Sequence, residues 1–269
     1  MSVVAKAIEL LGHFSSEAPE IGLSQLCRLA GRDKATTYRH LSALESLGFV
    51  EQNPMTKAYR IGPAVLPLAE LREATVPRRK GALDPLRALA QSTGETAHVA
   101  VLSGHVLHAL VSCDSPMHST RAVMDIQQFP LHATASGLCA LAFGPPELMK
   151  TATTKLKAYT AHTAITPQAV EGLITATRQT GFSISAGSFE DEIHSLAVPA
   201  YDHSGQLAGT VAVACVASRV TPDLTDQIRI GLVQASRQIT RNWGGKIPDQ
   251  IEALWQGAVD PTAQRELAR

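Results

Sequence analysis

The spacing of apolar residues predicts three consecutive helices at the start of this 269-residue chain. The first helix is indicated by five residues that repeat every three or four positions, as on one face of an α-helix: Val4, Ala7, Ile8, Leu11 and Phe14. The same spacing recurs in residues 24–30 and again in residues 34–47. Two short helices are therefore expected after a loop that contains Pro19 and Gly22.

Residues at the ends of the second and third helices predict a tight turn between them. Ser24 occupies an N-cap position, and Gly31 can adopt the left-handed conformation that ends a helix. Asp33 offers its carboxylate to the free N–H groups of the third helix, which Gly48 ends. Two short helices around such a turn are typical of a helix-turn-helix, whose second helix enters a DNA groove. Two ordinary amphipathic core helices would give the same pattern.

The residues after the third helix favour DNA binding over that alternative. Residues 49–61 predict two short strands around a turn, and a hairpin in this position is the wing of a winged helix-turn-helix. Lys57 and Arg60 of the wing are expected beside phosphates. Either Thr37 or Tyr38 is expected to share the inner face of the recognition helix with its leucines. The residues predicted to contact DNA are Ser24, Lys34, Thr36, Thr37, Tyr38, Arg39, His40, Lys57 and Arg60.

The remainder of the chain mixes strands with helices and predicts an α+β fold. Residues 64–75 predict a linker helix, and the basic run at 78–80 is either solvated or a further phosphate contact. Apolar runs and turn residues predict strands at residues 97–102, 106–112, 117–125, 181–185, 195–201 and 207–216. Helical spacing predicts helices at residues 84–91, 138–143, 145–150, 167–180 and 222–242, and one around 251–255.

Charge is unevenly distributed, although the formal net charge of the chain is zero. Residues 1–80 contain 11 Lys and Arg against 8 Asp and Glu, whereas residues 81–269 contain 13 against 16. This asymmetry fits a DNA-binding head on an acidic body. The chain has no 18-residue apolar run, no signal-peptide pattern and four scattered cysteines, so we expect a cytoplasmic protein that does not span a membrane.

Three segments resemble the IclR family of bacterial transcriptional regulators, in that family's order and spacing. The first is LAGRDKATTYRHLSALESLGFVE at residues 29–51, which is similar to the family's helix-turn-helix pattern. The other two are FPLHATASGLCALA at residues 129–142 and LAVPAYDHSGQLAGTVAVA at residues 196–214. The resemblance extends from about residue 3 to residue 243, and it departs from the family pattern at Leu138, where lysine is usual.

The resemblance implies a winged helix-turn-helix domain at residues 1–63, a linker helix at 64–80, a GAF-like effector-binding domain at 81–243 and a C-terminal tail at 244–269. It also implies a homodimer or a dimer of dimers on palindromic operator DNA. A small organic effector is expected between the Pro-Leu-His-Ala loop and the acidic loop at 187–194. The residues expected to line its pocket are Met124, Phe129, Ala135, Ser136, Glu190, Asp191, His194, Ser195, Ala212 and Ala214.

These residues also allow purely structural roles. Residues 135–137 lead into a helix and offer N–H groups to a carbonyl or carboxylate oxygen, but a plain N-cap explains them as well. Acidic residues 190–192 form either a solvated loop or ligand contacts. Ala212 and Ala214 stand where some relatives carry serines, so the pocket floor lacks hydroxyl groups. We therefore expect an effector with one carbonyl or carboxylate end and an apolar or aromatic body.

Enzymatic motifs are missing from the sequence. Ser136 is not in a GxSxG elbow, no glycine-rich phosphate loop occurs, and the histidines lack tight metal-ligand spacing. A metal site formed by His98, His194 and Cys215 remains as an alternative. We predict a ligand-responsive transcriptional repressor of a catabolic operon, with no cofactor, no metal and no enzymatic activity. The rival prediction is a GAF-like small-molecule-binding or enzymatic protein with a vestigial DNA-binding head.

Overall fold

The computed structural model describes residues 2–15, 18–154 and 156–259, and it divides into two compact units, Met1–Val76 and Pro77–Arg269. The first unit contains α1 (Val3–Leu11), α2 (Leu23–Ala30), α3 (Lys34–Ser46), β1 (Val50–Gln52), β2 (Tyr59–Ile61) and α4 (Val65–Thr75). The second contains α5 (Arg78–Thr93), β3 (Thr96–Ser103), β4 (Val106–Cys113), α6 (Ala135–Phe143), α7 (Glu147–Thr153), α8 (Pro167–Thr180), β5 (Ser183–Ala186), β6 (Ile193–Tyr201), β7 (Leu207–Val216), α9 (Pro222–Asn242) and α10 (Asp249–Val259).

The turn between α2 and α3 follows from its capping residues. Gly31 ends α2 with a φ of 61°, a left-handed conformation that glycine adopts at little cost. The Asp33 carboxylate accepts the Thr36 N–H at 2.8 Å and caps α3. The N-cap predicted at Ser24 is wrong. The backbone carbonyl of Gly22 accepts the first helical hydrogen bonds, so Gly22 is the N-cap and Ser24 lies inside the first turn.

The first unit has its own core under the wing. The hairpin pairs Val50 with Ile61, and a backbone bridge between Ile21 and Tyr59 joins the loop before α2 to the second wing strand. The buried apolar side chains of this core are Leu10, Phe14, Ile21, Leu26, Leu41, Leu44, Val50 and Tyr59. The predicted winged helix-turn-helix is therefore present as a self-contained unit.

The linker helix α4 agrees with the helix predicted at residues 64–75 and ends before the linker segment 64–80 does. Every residue of α4 is at least partly exposed, and the helix ends at Thr75. Pro77 disfavours the helical conformation at Val76, whose φ of −139° and ψ of 79° are not helical, so the helix stops there. The basic residues 78–80 form the first turn of α5 rather than the end of α4.

The second unit is built on one antiparallel sheet with strand order β4-β3-β7-β6-β5. Because side chains alternate along a strand, β7 presents Val211 and Val213 to the core formed with α5, α9 and α10. Ala212 points to the other face and packs against α6. On the tail, Trp255 of α10 is buried and its Nε1–H donates to the carbonyl of Gly181 at 3.1 Å.

The strand predicted at residues 117–125 is not formed. The backbone carbonyls of this segment accept hydrogen bonds from side chains instead of from a neighbouring strand. Thr96 Oγ1 donates to Ala122 at 2.8 Å, and Arg219 Nη1 donates to Thr120 at 3.0 Å. The segment is therefore an irregular strap that runs from β4 toward α6. None of the helices in the described ranges is long and apolar enough to cross a membrane.

Candidate DNA-binding surface and effector site

The exposed face of α3 carries four of the predicted DNA contacts. Lys34, Tyr38 and Arg39 are exposed, with 54% of Tyr38 accessible, and Thr36 is half-buried. Thr36 lies one turn after the Asp33 cap, at the N-terminal end that enters a groove in helix-turn-helix proteins. Ser24 is exposed on α2. These side chains can contact DNA without rearrangement of the core.

Two of the predicted contacts, Thr37 and His40, lie in the core instead. The Thr37 side chain is fully buried, and its hydroxyl donates to the carbonyl of Asp33 at 2.9 Å. His40 is 5% exposed, and its burial together with the charges of Arg32 and Arg39 lowers its pKa. Thr37, not Tyr38, therefore shares the inner face with the leucines, and neither buried side chain can contact a base.

The two predicted cations of the wing, Lys57 and Arg60, differ in their ion pairing: in the described part of the chain only Arg60 forms salt bridges. Lys57 is exposed at the tip with a φ of 59°, in a turn closed by the Asn53 side chain. Arg60 donates to Glu51 at 2.6 Å and to Glu20 at 3.3 Å, and the hydrogen bond to Glu51 raises the pKa of Arg60 further. A phosphate would have to compete with two carboxylates for Arg60, whereas no ion pair of the described residues involves Lys57. Both wing residues stay predicted phosphate contacts, and Lys57 is the more accessible of the two.

The second unit contains a cavity between the N-terminus of α6, the sheet and the strap that follows β4. Seven of the predicted effector residues line it: Met124, Phe129, Ala135, Ser136, Glu190, Ser195 and Ala214. The side chains that were not predicted but also line it are His98, Ala122, Val123, Ile126, Thr134, Ser185, Phe189 and Ile193. The volume of the cavity is about 50 Å³.

Three predicted pocket residues lie outside this cavity. Ala212 is fully buried beneath α6, where it packs with Ala135 and Cys139. His194 precedes Ser195 on β6, and alternation along the strand turns the two side chains to opposite faces. Asp191 is exposed in the acidic loop. The structure therefore places Ala212, His194 and Asp191 outside the lining of this cavity.

The N-terminus of α6 faces the cavity and is built by the Pro-Leu-His-Ala loop. Thr134 caps the helix by accepting the Gly137 N–H at 3.0 Å, so the plain N-cap falls on Thr134. The N–H groups of Ala135 and Ser136 precede the first intrahelical donor and lie at the positive end of the helix dipole. A Cβ on Gly137 would lie 2.5 Å from the Pro130 carbonyl, so only glycine lets the loop pack this closely. These N–H groups can donate to a carbonyl or carboxylate oxygen.

His98 is the main polar residue of the cavity that was not among the predicted effector contacts; the sequence suggested it only as part of the alternative metal site. Its Nε2 lies 3.0 Å from Ser136 Oγ, and its ring stacks on Phe129 with 4.9 Å between centroids. Burial lowers the pKa of His98 to about 4, so the imidazole is neutral at pH 7. The pairing of β3 with β7, which sets His98 opposite Ala212, is a long-range contact that no local pattern predicts.

The rim of the cavity is acidic and its walls are apolar. Burial, and secondarily the charge of Asp125, raise the pKa of Glu190. A cavity of about 50 Å³ is smaller than the roughly 150 Å³ that holds benzene, so an aromatic ring would have to displace a side chain. A second cavity of about 250 Å³ shares the His98, Met124 and Phe129 walls and adds Arg79. The unbranched Met124 is the wall residue most easily moved to join the two cavities.

The alternative metal site is not assembled. Cys215 packs in the core on the α5 side of the sheet, whereas His98 lies on the α6 side. The Cys215 thiol donates to the backbone carbonyl of His194 at 3.5 Å. Across the described residues, no group of three or more His, Cys, Asp or Glu is placed to hold a metal ion.

Comparison with known proteins assigns both units to one family. Residues 3–54 match the IclR helix-turn-helix domain, and residues 75–241 match the domain described as bacterial transcriptional regulator IclR C-terminal. An IclR transcriptional regulator from Silicibacter sp. TM1040, whose crystal structure is known, is 41% identical with a TM-score of 0.84. That comparison covers 93% of this chain and 99% of the other.

Two more distant relatives agree with this assignment. The HTH-type transcriptional regulator XynR of Escherichia coli strain K12 is 26% identical over 245 residues, which are 90% of this chain and 96% of XynR. An IclR homologue from Microbacterium hydrocarbonoxydans, solved in complex with 4-hydroxybenzoate, has the same fold. It is 20% identical to this chain with a TM-score of 0.70, and the comparison covers 89% of this chain and 100% of the Microbacterium chain. This chain belongs to the IclR family of bacterial transcriptional regulators.

Proposed function

We propose that this protein is an effector-controlled repressor that binds a palindromic operator as a homodimer. The observation that carries the proposal is the combination, in one chain, of two separate sites. One unit presents a capped recognition helix with Lys34, Thr36 and Arg39 outward, and the other encloses a cavity at a helix N-terminus. A site for DNA and a site for a small molecule are what a ligand-responsive regulator requires.

Exposed apolar side chains in the first unit support dimerisation. Their exposed fractions range from 51% to 71%, and the residues are Val3, Val4 and Ile8 on α1 and Leu66, Leu68 and Leu71 on α4. Apolar residues at helical spacing that no residue of the same unit covers are suited to burial against a second copy. A dimer places two recognition helices on half-sites about one helical turn apart, which requires a palindromic operator.

The cavity supports a small organic effector with a carbonyl or carboxylate end. The N–H groups at Ala135 and Ser136 suit such an oxygen, while Phe129 and Met124 suit an apolar body. The relative from Microbacterium hydrocarbonoxydans binds 4-hydroxybenzoate, which combines these two features. Binding at this cavity would reposition or release the DNA-binding heads, and a small change in their separation is enough to lose one half-site.

Selection of duplexes from a random pool with the full chain, followed by fluorescence anisotropy, tests the proposal. We expect a palindromic site whose affinity falls steeply with salt, because phosphate contacts release counterions. Lys57→Ala should lower the salt slope by about one. A chain that enriches no sequence, or binds with no salt dependence, would instead support the rival class with a vestigial head.

A further inference from the structure

The acidic loop, which joins β5 to β6, forms one wall of the cavity in the second unit. It folds into a turn in which the Gly187 N–H donates to the carbonyl of Ile193 at 2.9 Å. The Ile193 N–H in turn donates to the carbonyl of Glu190 at 3.1 Å. Phe189 and Glu190 of this turn line the cavity, so the shape of the cavity depends on where the loop is held.

Residues 157–163, between α7 and α8, form a latch segment that holds the acidic loop through two hydroxyl groups. Thr160 Oγ1 donates to the carbonyl of Gly187 at 2.7 Å, and Thr163 Oγ1 donates to the carbonyl of Ser188 at 2.6 Å. The Thr163 side chain is buried, and its hydroxyl also accepts two backbone N–H groups of the latch segment itself, at 2.9 and 3.0 Å. The position of the acidic loop is therefore tied to that of the latch segment.

Tyr159 connects the latch segment to the side chain that lines the cavity. Its ring packs on the ring of Phe189 in a tilted arrangement, with 4.9 Å between centroids and 54° between planes. Two neighbours fix Tyr159 in turn: the His132 ring lies at 5.9 Å, and the Lys157 ammonium lies 4.8 Å from the Tyr159 centroid. Tyr159 is outside the lining of the cavity, so its contact with the cavity wall is made through Phe189.

Electrostatic repulsion opposes closure of the acidic loop over the cavity. Burial raises the pKa of Glu190, and the charge of Asp125 on the strap raises it further. The two carboxylates are therefore close enough to repel each other when both are ionised. This repulsion favours movement of the acidic loop away from the strap, which would open the cavity. The contacts made by the latch segment oppose that movement.

We propose that Tyr159 is a positioning residue of the effector site, which holds Phe189 in the cavity wall and keeps the acidic loop closed. Release of the contact between Tyr159 and Phe189 opens the cavity to solvent. This inference rests on the proposed function, because it names the residue that controls access to the regulatory cavity.

Thiol labelling of the full chain tests the inference without an effector. The Ala214→Cys variant is treated with iodoacetamide, and the labelling rate at each cysteine is followed by peptide mass spectrometry. Ala214 lines the cavity and is 3% exposed, so labelling at position 214 requires opening and its rate follows the open population. Cys215, the next residue on β7, packs in the core on the other side of the sheet and is 1% exposed. It is the internal reference for unfolding of the whole unit.

Tyr159→Ala in this background should speed labelling at position 214 and leave the rate at Cys215 unchanged. The contact between two aromatic rings corresponds to about two- to tenfold in an equilibrium constant, and we expect the rate at position 214 to rise by that factor. Tyr159→Phe keeps the ring and should leave the rate unchanged. Tyr38→Ala is the matched control, because it makes the same change on the exposed face of α3 in the first unit.

Thr160→Val covers the case in which Tyr159→Ala does not fold. It nearly preserves the shape of the side chain, removes the hydrogen bond to Gly187 and should also speed labelling at position 214 alone. An unchanged rate at position 214, a parallel rise at Cys215, or a Tyr159→Phe variant that behaves like Tyr159→Ala would each overturn the inference. Neither operator nor effector enters the measurement, so failure of the proposed function is recognised separately, by the loss of operator binding.

Discussion

Replacement of Arg219 should destabilise the second unit more than any other single ion-pair deletion in its described part. Arg219 donates through Nε and Nη2 to the two oxygens of Glu95, at 2.6 and 2.7 Å. The Glu95 carboxylate is 1% exposed, whereas the Arg219 side chain is 23% exposed. Arg219→Met would leave a buried carboxylate without its main cation. Deletions of this kind cost roughly 3–5 kcal/mol, and we expect about 3 kcal/mol because Arg219 is partly solvated.

Urea unfolding followed by tryptophan fluorescence measures this cost. Both tryptophans, Trp243 and Trp255, lie in the second unit, so the signal reports on the unit that contains the ion pair. Arg121→Met is the matched control, because it deletes an exposed pair with Asp114 at 2.9 Å and should cost less than about 1 kcal/mol. Addition of Glu95→Gln to Arg219→Met removes the stranded charge and should recover part of the loss.

The same substitution should loosen the wall of the effector cavity. The third Arg219 donor, Nη1, donates to the carbonyl of Thr120. Four of the residues that follow in the strap line the cavity: Ala122, Val123, Met124 and Ile126. Trypsin should therefore cleave after Arg121 faster in Arg219→Met than in the unaltered protein. If Arg219→Met and Arg121→Met cost equally little in urea, the buried pair does not stabilise the unit and this reasoning is refuted.

Three further predictions concern the two sites. Arg39→Ala should cost about 1–3 kcal/mol in operator affinity and relax the sequence preference at one base pair. Lys57→Ala should weaken binding to all DNA sequences alike in the same anisotropy assay. If the two variants behave identically, Arg39 contacts a phosphate and not a base. Ala214→Leu should fill the cavity of about 50 Å³ and abolish effector binding in calorimetry while operator binding is retained. Ala212→Leu should instead overpack the contact with α6 and lower the free energy of unfolding by about 1–3 kcal/mol. Asp33→Ala should lower the unfolding temperature of the head at pH 7, because hydrogen bonds from the Thr36 backbone lower the Asp33 pKa. That difference should shrink as pH falls through the lowered pKa, where the carboxylate is lost, and a pH-independent difference would contradict it.

The helix-turn-helix and its wing were predictable from the sequence because their signals are local. Gly31 and Asp33 act on backbone groups within four residues of themselves, so their spacing alone predicts a turn and a cap. The same holds for Thr134 at the start of α6 and for the apolar strand β7. The resemblance placed the candidate effector site beside the Pro-Leu-His-Ala loop, whose packing requires Gly137.

Other structural features depend on packing between distant parts of the chain. Helical periodicity could not choose between Thr37 and Tyr38, and the choice was made by the core under the wing. The strap at residues 117–125 has an apolar pattern similar to that of a strand. The side chains of Thr96 and Arg219, from other parts of the chain, donate hydrogen bonds to backbone carbonyls of this segment. These carbonyls are therefore not available for pairing with a strand.

The effector cavity shows the same division between local and long-range information. The sequence by itself determined which residue types were present, and period-two alternation predicted that Ala212 and Ala214 share one face of a strand. Only the tertiary structure placed α6 over Ala212 and left Ala214 open to the cavity. It also brought His98 to Ser136, 38 residues away, through the pairing of β3 with β7. Side-chain alternation and capping are properties of neighbouring residues, whereas burial depends on which distant segment packs on a face, and that depends on the whole fold.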